Sequence, residues 1–180
     1  MHRNSLAIFR KYALPYFEGI ESVLEIGPSG TPSAYQKEVN RPSLRWDTID
    51  MANPKGYALT HLSKGEYDFG LPDNTYDVVL SGQVFEHVRK IWRWMPEVAR
   101  VARVGGRVIT ISPVSYPYHE APFDCWRAYP EGMKALCEDS GLEVELAKWE
   151  SIEGQKYKRT IGGKGVDRLG KLRKTWGLLA

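Results

Sequence analysis

Two glycines, one carboxylate and two imidazoles are the residues of this chain whose types and spacing could carry chemistry. Gly27 and Gly30 lie in the stretch Val23-Leu24-Glu25-Ile26-Gly27-Pro28-Ser29-Gly30. Its apolar run, Val23 to Ile26, suits a strand buried on both faces, and it leads directly into a glycine-punctuated turn. Gly27 and Gly30 permit positive φ and close backbone approach, so a ligand can rest against exposed N–H groups. Nucleotide-type cofactors bind at such turns, at the carboxyl ends of strands in open α/β sheets. Asp50, about twenty residues on, is an acidic strand end of the kind that accompanies this turn. Histidine is the side-chain type suited to general-base work near neutral pH, and His87 and His119 are the candidates. His87 serves equally well as a cap or a loop hydrogen-bonding group.

The run Pro113 to Tyr129 interleaves aromatic and polar residues. Tyr116, Tyr118, Phe123, Trp126 and Tyr129 stand beside His119, Glu120, Asp124 and Arg127. Rings of this kind either seal the top of a sheet or face a sugar- or ring-bearing substrate and shield a cation. Arg127 either grips a phosphate or carboxylate bidentately or pairs with Asp124. Tyr118, Trp126 and Arg127 are the candidate substrate contacts.

Repeated strand–helix alternation must position these groups, which predicts a mostly parallel α/β sheet. The expected strands are Val23–Ile26, Leu44–Ile49 ending on Asp50, Tyr57–Leu62, Tyr76–Ser81, Arg107–Ser112 and Leu142–Trp149. Helical spacing runs over Asn4–Phe17, Ser33–Val39, Ile91–Val104 and Pro130–Ser140. Pro96 inside the third of these predicts a kink or a late start. The first two crossovers are too short to cover one sheet face well. Val166, Leu169, Leu172, Trp176 and Leu179 recur at helical spacing, so a C-terminal helix is expected to dock there.

The length of 180 residues fits one domain with a real core, and 42% hydrophobic with 26% charged residues is an ordinary globular balance. No apolar run approaches the roughly 20 residues of a membrane span. The first nineteen residues carry Arg3, Arg10, Lys11 and Glu18 and no cleavage-like site, which predicts a cytoplasmic protein. Cys125 and Cys137 form neither a C-x-x-C pair nor a disulfide framework. The net charge of +3 is uneven: Gly154–Ala180 holds eight Lys/Arg and one acidic residue, which leaves 17 basic against 21 acidic residues before it. The expected organisation is a domain over residues 1–153 and a basic extension over 154–180 packed on it. Nucleic acid is not an expected partner, since no aromatic-rich binding motif accompanies those charges.

Five segments in order resemble a class I S-adenosylmethionine-dependent methyltransferase of the small-molecule "type 11" kind. They are VLEIGPSG, WDTIDM, LPDNTYDVVLSGQVFEHV, EVARVARVGGRVITIS and HEAPFDCWRAYPEGMKALCEDSGLEV. The likeness covers roughly Val23 to Trp149 and implies a Rossmann-like fold, here with shortened helices on one face and an uncertain last strand. Gln155–Ile161 is the one candidate for a seventh strand. It also implies S-adenosyl-L-methionine as cofactor. Glu25, Gly27, Pro28 and Gly30 match the turn under its methionine and ribose parts. Asp50 matches the residue that takes the ribose hydroxyls, since a carboxylate accepts two strong hydrogen bonds from a cis-diol. Met51 falls where an apolar side chain packs on adenine, and Asp68 and Phe69 fall near the adenine edge. Ser81, Gly82 and Gln83 follow the strand whose carbonyls meet the cofactor's amino group. The last segment is similar to members linked to sugar, glycan or cell-surface metabolism, which suggests a small-molecule or sugar-containing acceptor.

Two other readings fit the same turn. A nicotinamide-dependent oxidoreductase would use a similar glycine turn and acidic strand end, but G-P-S-G lacks the third glycine of G-x-G-x-x-G. A methyltransferase-like binding module without activity is the other.

Overall fold

The computed structural model describes residues 3–120, 122–152, 157–161, 164–170 and 176–179, the last three ranges as strand backbone. A seven-stranded sheet organises it, built from β1 (Ser22–Ile26), β2 (Arg45–Asp50), β3 (His61–Leu62), β4 (Tyr76–Gly82), β5 (Ala102–Pro113), β6 (Ala147–Glu150) and β9 (Trp176–Leu179). Their spatial order is β3-β2-β1-β4-β5-β9-β6. The first five pair in parallel, and β9 runs antiparallel between β5 and β6. This is the expected Rossmann-like, mostly parallel sheet. All five residues of β1 are buried, as its apolar run requires.

Two apolar layers cover the sheet. On one face α3 (Ile91–Val101) and α4 (Pro130–Asp139) place Trp94, Met95, Val98, Met133 and Cys137 against Leu24, Ile26 and Val79. On the other, Ile8, Phe9, Ala13 and Phe17 join Tyr35 of α2 (Ala34–Val39) against Val23, Val78, Leu80 and Ile109. The expected C-terminal helix does not supply that cover. An N-terminal helical segment does: α1 (Arg3–Ile8) passes into a π-helical turn over Phe9–Ala13 and a 3₁₀ turn over Leu14–Phe17. Its start is tied to β6, where the Asn4 amide donates to the Glu150 carbonyl at 3.1 Å and accepts from the Ile152 N–H at 2.7 Å.

Where Val166 to Leu179 was expected to be helical, the described residues, 166–170 and 176–179, are extended. β7 (Tyr157–Ile161) and β8 (Lys164–Gly170) form a separate antiparallel pair, and Trp176–Leu179 enters the main sheet. Glycines at 165, 170 and 177 disfavour a helix, and two open strand edges offer hydrogen bonds instead. The strand candidate at the start of this region is therefore a strand outside the main sheet, and another takes its place. Gln155 and Leu172 lie outside the described residues.

Other boundaries shift for local reasons. β3 has two residues rather than six, because Thr48 and Thr60 exchange side-chain hydrogen bonds to each other's backbone N–H in place of ladder bonds. α3 starts at Ile91 with Pro96 inside it, and it ends at Val101 rather than Val104. Arg103–Gly106 becomes a bulge in β5, with Gly105 at φ 77°. A Cβ on Gly106 would come within 2.9 Å of the Asp77 carbonyl, so glycine is required at that close approach. β6 begins at Ala147 rather than Leu142, since Leu142 and Val144 pack on the α3–α4 layer instead of pairing.

Candidate active site

Strand register brings the sequence-predicted carboxyl-edge residues together. Ile26 of β1 aligns with Ile49 of β2 and with Ser81 of β4, so Gly27, Asp50 and Gly82 leave the sheet side by side. Gly27 takes φ 64° and donates its N–H to the Ile49 carbonyl at 2.9 Å. A Cβ there would stand 2.5 Å from Val84 Cγ2, so this turn accepts only glycine without rearrangement. Gly30 does not adopt positive φ and has room for a Cβ, and Pro28 is buried under the turn.

Glu25 is tied into the interior. It is 2% exposed and accepts hydrogen bonds from Ser33 Oγ at 2.6 Å and Trp46 Nε1 at 2.8 Å. Burial pushes its carboxyl up to about 7, against the lowering effect of those two donors. Ser33 also caps α2 by accepting from the Gln36 N–H at 3.0 Å. One hydroxyl thus ties the glycine turn, the start of α2 and the Glu25 carboxylate together.

Asp50 is partly exposed. Its Oδ1 accepts from the Met51 N–H at 2.7 Å, and it makes no ion pair among the described residues. Met51 beside it is 55% exposed, an apolar side chain at the mouth of the edge. Phe69 lies in the core, and its N–H is occupied by Glu97 Oε1 at 2.6 Å. Asp68 is exposed and turns back to accept from the Gly70 N–H at 2.9 Å. Phe69 packs in the same apolar cluster as Ile26 and Ile49, and Asp68 closes a local loop. Ser81 is buried and bonds Thr110 Oγ1 at 3.1 Å, Gly82 leaves space for the Tyr35 ring, and Gln83 at φ 66° donates its N–H to the Ile111 carbonyl.

The two imidazoles also meet. His87 and His119 stack edge to face with ring centres 5.1 Å apart. His87 Nδ1 lies 2.5 Å from the Phe123 carbonyl, and His119 Nδ1 lies 3.2 Å from Asp124 Oδ2 and 3.3 Å from the Pro117 carbonyl. These neighbours only accept, so the contacts suit rings that donate from Nδ1. Asp124 is clamped by Arg127 through two bonds of 2.5 and 2.6 Å, which holds its carboxyl well below the usual range. Arg127 is thereby engaged with Asp124, the second of its two readings. Trp126 donates from Nε1 to the Val88 carbonyl at 2.7 Å and packs on the core, while Tyr118 is exposed and bonds Glu120. Beneath the histidines Glu86 is 1% exposed, and burial pushes its carboxyl up to about 7.

Residues 33–110 match a family model described as "Methyltransferase domain". A structure of a SAM-dependent methyltransferase from Archaeoglobus fulgidus superposes with a TM-score of 0.65 at 17% identity, over 97% of this chain and 91% of that one. The chain therefore has the Rossmann-like fold seen in SAM-dependent methyltransferases. A SAM-dependent methyltransferase from Aquifex aeolicus gives 0.62 at 18% identity, over 98% and 90% of the two chains. A Haemonchus contortus phosphoethanolamine N-methyltransferase 2, in complex with S-adenosyl-L-methionine, gives 0.58 at 15% identity over 82% and 38%. No curated protein sequence matches the chain.

Around this carboxyl edge, sequence reasoning missed Ser33, Glu97, Val84 and the position of Glu86. Ser33 precedes a short helix and could have been found as its N-cap; the others act through tertiary contacts that no local pattern marks. A separate cavity of about 570 Å³, lined by Arg100, Arg103, Arg107, Cys137 and Leu142 among others, opens at the start of β5. That is the opposite end of the sheet from Gly27 and Asp50, so its size does not make it the reactive site.

Proposed function

We propose that this chain transfers the methyl group of S-adenosyl-L-methionine to a small-molecule or sugar-type acceptor. The observation that carries this reading is the register that sets Gly27, Asp50 and Gly82 side by side at the carboxyl edge. The residues present there fit the cofactor: a turn with room for no Cβ, an unpaired carboxylate and an exposed apolar side chain next to it. When bound, the cofactor supplies an electrophilic methyl on a sulfonium sulfur. Asp50 then takes the ribose diol by charge-assisted hydrogen bonds, Met51 covers adenine, and the backbone at Gly27 and at Ser81–Gln83 borders the rest. Glu25 acts as a brace for the turn. His87 and His119 stand as the groups that take a proton from a hydroxyl acceptor, through the Nε2 lone pairs their Nδ1 contacts leave available. Tyr118, Trp126 and Arg127 belong to the roof over that acceptor, with Arg127 holding Asp124 and, through it, the orientation of His119.

A cytoplasmic setting goes with this reading, as does an acceptor other than nucleic acid; among the described residues no helix is long and apolar enough to cross a membrane. Calorimetric titration with S-adenosylhomocysteine, with NAD run on the same preparation, tests the proposal. Micromolar binding of the first and none of the second is expected. Binding of NAD would point to an oxidoreductase, and binding of neither to a module without activity.

A further inference from the structure

Glu86 Oε2 is buried and has no hydrogen-bond partner among the described residues. A carboxylate hidden from water is destabilised unless a cation or donors meet it. Its other oxygen faces an imidazole: Glu86 Oε1 lies 3.9 Å from His87 Nε2. One Glu86 oxygen and one ring nitrogen each from His87 and His119 lie within 4.8 Å of one another. Donors bound to one first-row metal ion, at about 2.0–2.2 Å from it, sit roughly 3–4 Å apart, so ~1 Å of side-chain movement would close the set.

We propose that Glu86, His87 and His119 form a site for a divalent transition-metal ion of the zinc type. The surroundings have what such ligands need. Each imidazole gives its Nδ1 proton to a fixed acceptor, the Phe123 carbonyl for His87 and the Asp124 carboxylate for His119. That pattern fixes the ring and raises the basicity of the opposite nitrogen. The charge of Arg127, the nearest guanidinium, is answered by its two bonds to Asp124. His119 keeps 34% of its side chain exposed, so an ion can enter from solvent and retain open positions. Two nitrogens and one carboxylate oxygen suit zinc, cobalt, manganese or iron better than magnesium. An acceptor hydroxyl bound at an open position would lose its proton more readily, with the imidazoles then acting as ligands rather than bases. That use of the ion rests on the methyl-transfer reading; the binding of the ion does not.

The test uses the full chain without a histidine tag, stripped with a chelator, titrated with Zn²⁺ by calorimetry and with Co²⁺ by visible absorption. One ion per chain is expected, with a Co²⁺ ligand-field band. His119→Ala, on a loop where folding is not at risk, and His87→Ala should each weaken binding at least ~10-fold. His61→Ala, remote from the cluster, should leave it unchanged. The absence of stoichiometric binding, or wild-type affinity in His119→Ala, overturns the site. S-adenosylhomocysteine titrated into the same samples reads the cofactor edge separately: its failure with zinc bound removes the proposed function and leaves the metal site, and the reverse result does the opposite.

Discussion

Removing the Asp50 carboxylate tests the cofactor edge at a single point. Asp50→Ala deletes the proposed acceptor of the ribose diol without touching the core, so S-adenosylhomocysteine affinity should fall by about 1–3 kcal/mol, roughly 5- to 150-fold. Equal affinity in calorimetry would remove Asp50 from the site. Gly27→Ala acts differently, since φ is 64° and the new Cβ meets Val84 Cγ2 at 2.5 Å. It should lower both stability and affinity, by about 1–3 kcal/mol in stability. Adding Val84→Ala should restore only the steric part, because the backbone conformation is still unfavourable. A double-mutant cycle on melting free energies with no coupling between the two positions would show that the clash is not relieved by this route. The glycine turn and Asp50 were legible from residue type and spacing alone. The partners of Glu25 were not legible that way: Ser33 and Trp46 lie 8 and 21 residues away and meet it only in the fold.

At the scale of elements, the last strand is the point where local pattern and observed structure part. Trp176–Leu179 aligns four residues with Thr110–Pro113 of β5 and four with Ala147–Glu150 of β6. Deleting residues 176–180 leaves both of those strands with an open edge, and unpaired backbone groups there are costly when water is excluded. The melting temperature should fall by at least ~5 °C, about 2 kcal/mol for a chain of this size. An unchanged melt would mean that the pairing adds nothing to the fold. The helices α3 and α4 were legible because their apolar residues recur with a 3.6-residue period over ten or more positions. The C-terminal apolar residues happen to share that spacing, but glycines between them and two waiting strand edges favour the extended state.

For the whole molecule, pH dependence follows from the buried carboxyl of Glu25. Its value in the fold is about 7, above the ordinary 4.5, so the folded chain holds that proton more tightly than the unfolded chain. Stability from this group is therefore fully present below pH ~4.5 and declines as pH rises to about 7. Glu25→Gln should remove that decline, by about 1–3 kcal/mol between pH 5 and 8, measured by denaturant unfolding at a series of pH values. A slope identical to that of wild type would mean Glu25 stays ionised at no cost.

By itself the sequence determined the α/β alternation, the approximate places of the first five strands along the chain and which residues end β1, β2 and β4. Those rest on short-range rules: hydrophobic period, glycine conformational freedom and an acidic strand end. Tertiary structure alone decided which element covers the second face, which strand fills the gap beside β5, and that Glu86, His87 and His119 converge. Each of these joins groups more than thirty residues apart, or depends on competition between an open backbone edge and a local helical spacing. The outcome there is set by burial and by the pairing of backbone hydrogen bonds, quantities that exist only once the sheet has formed.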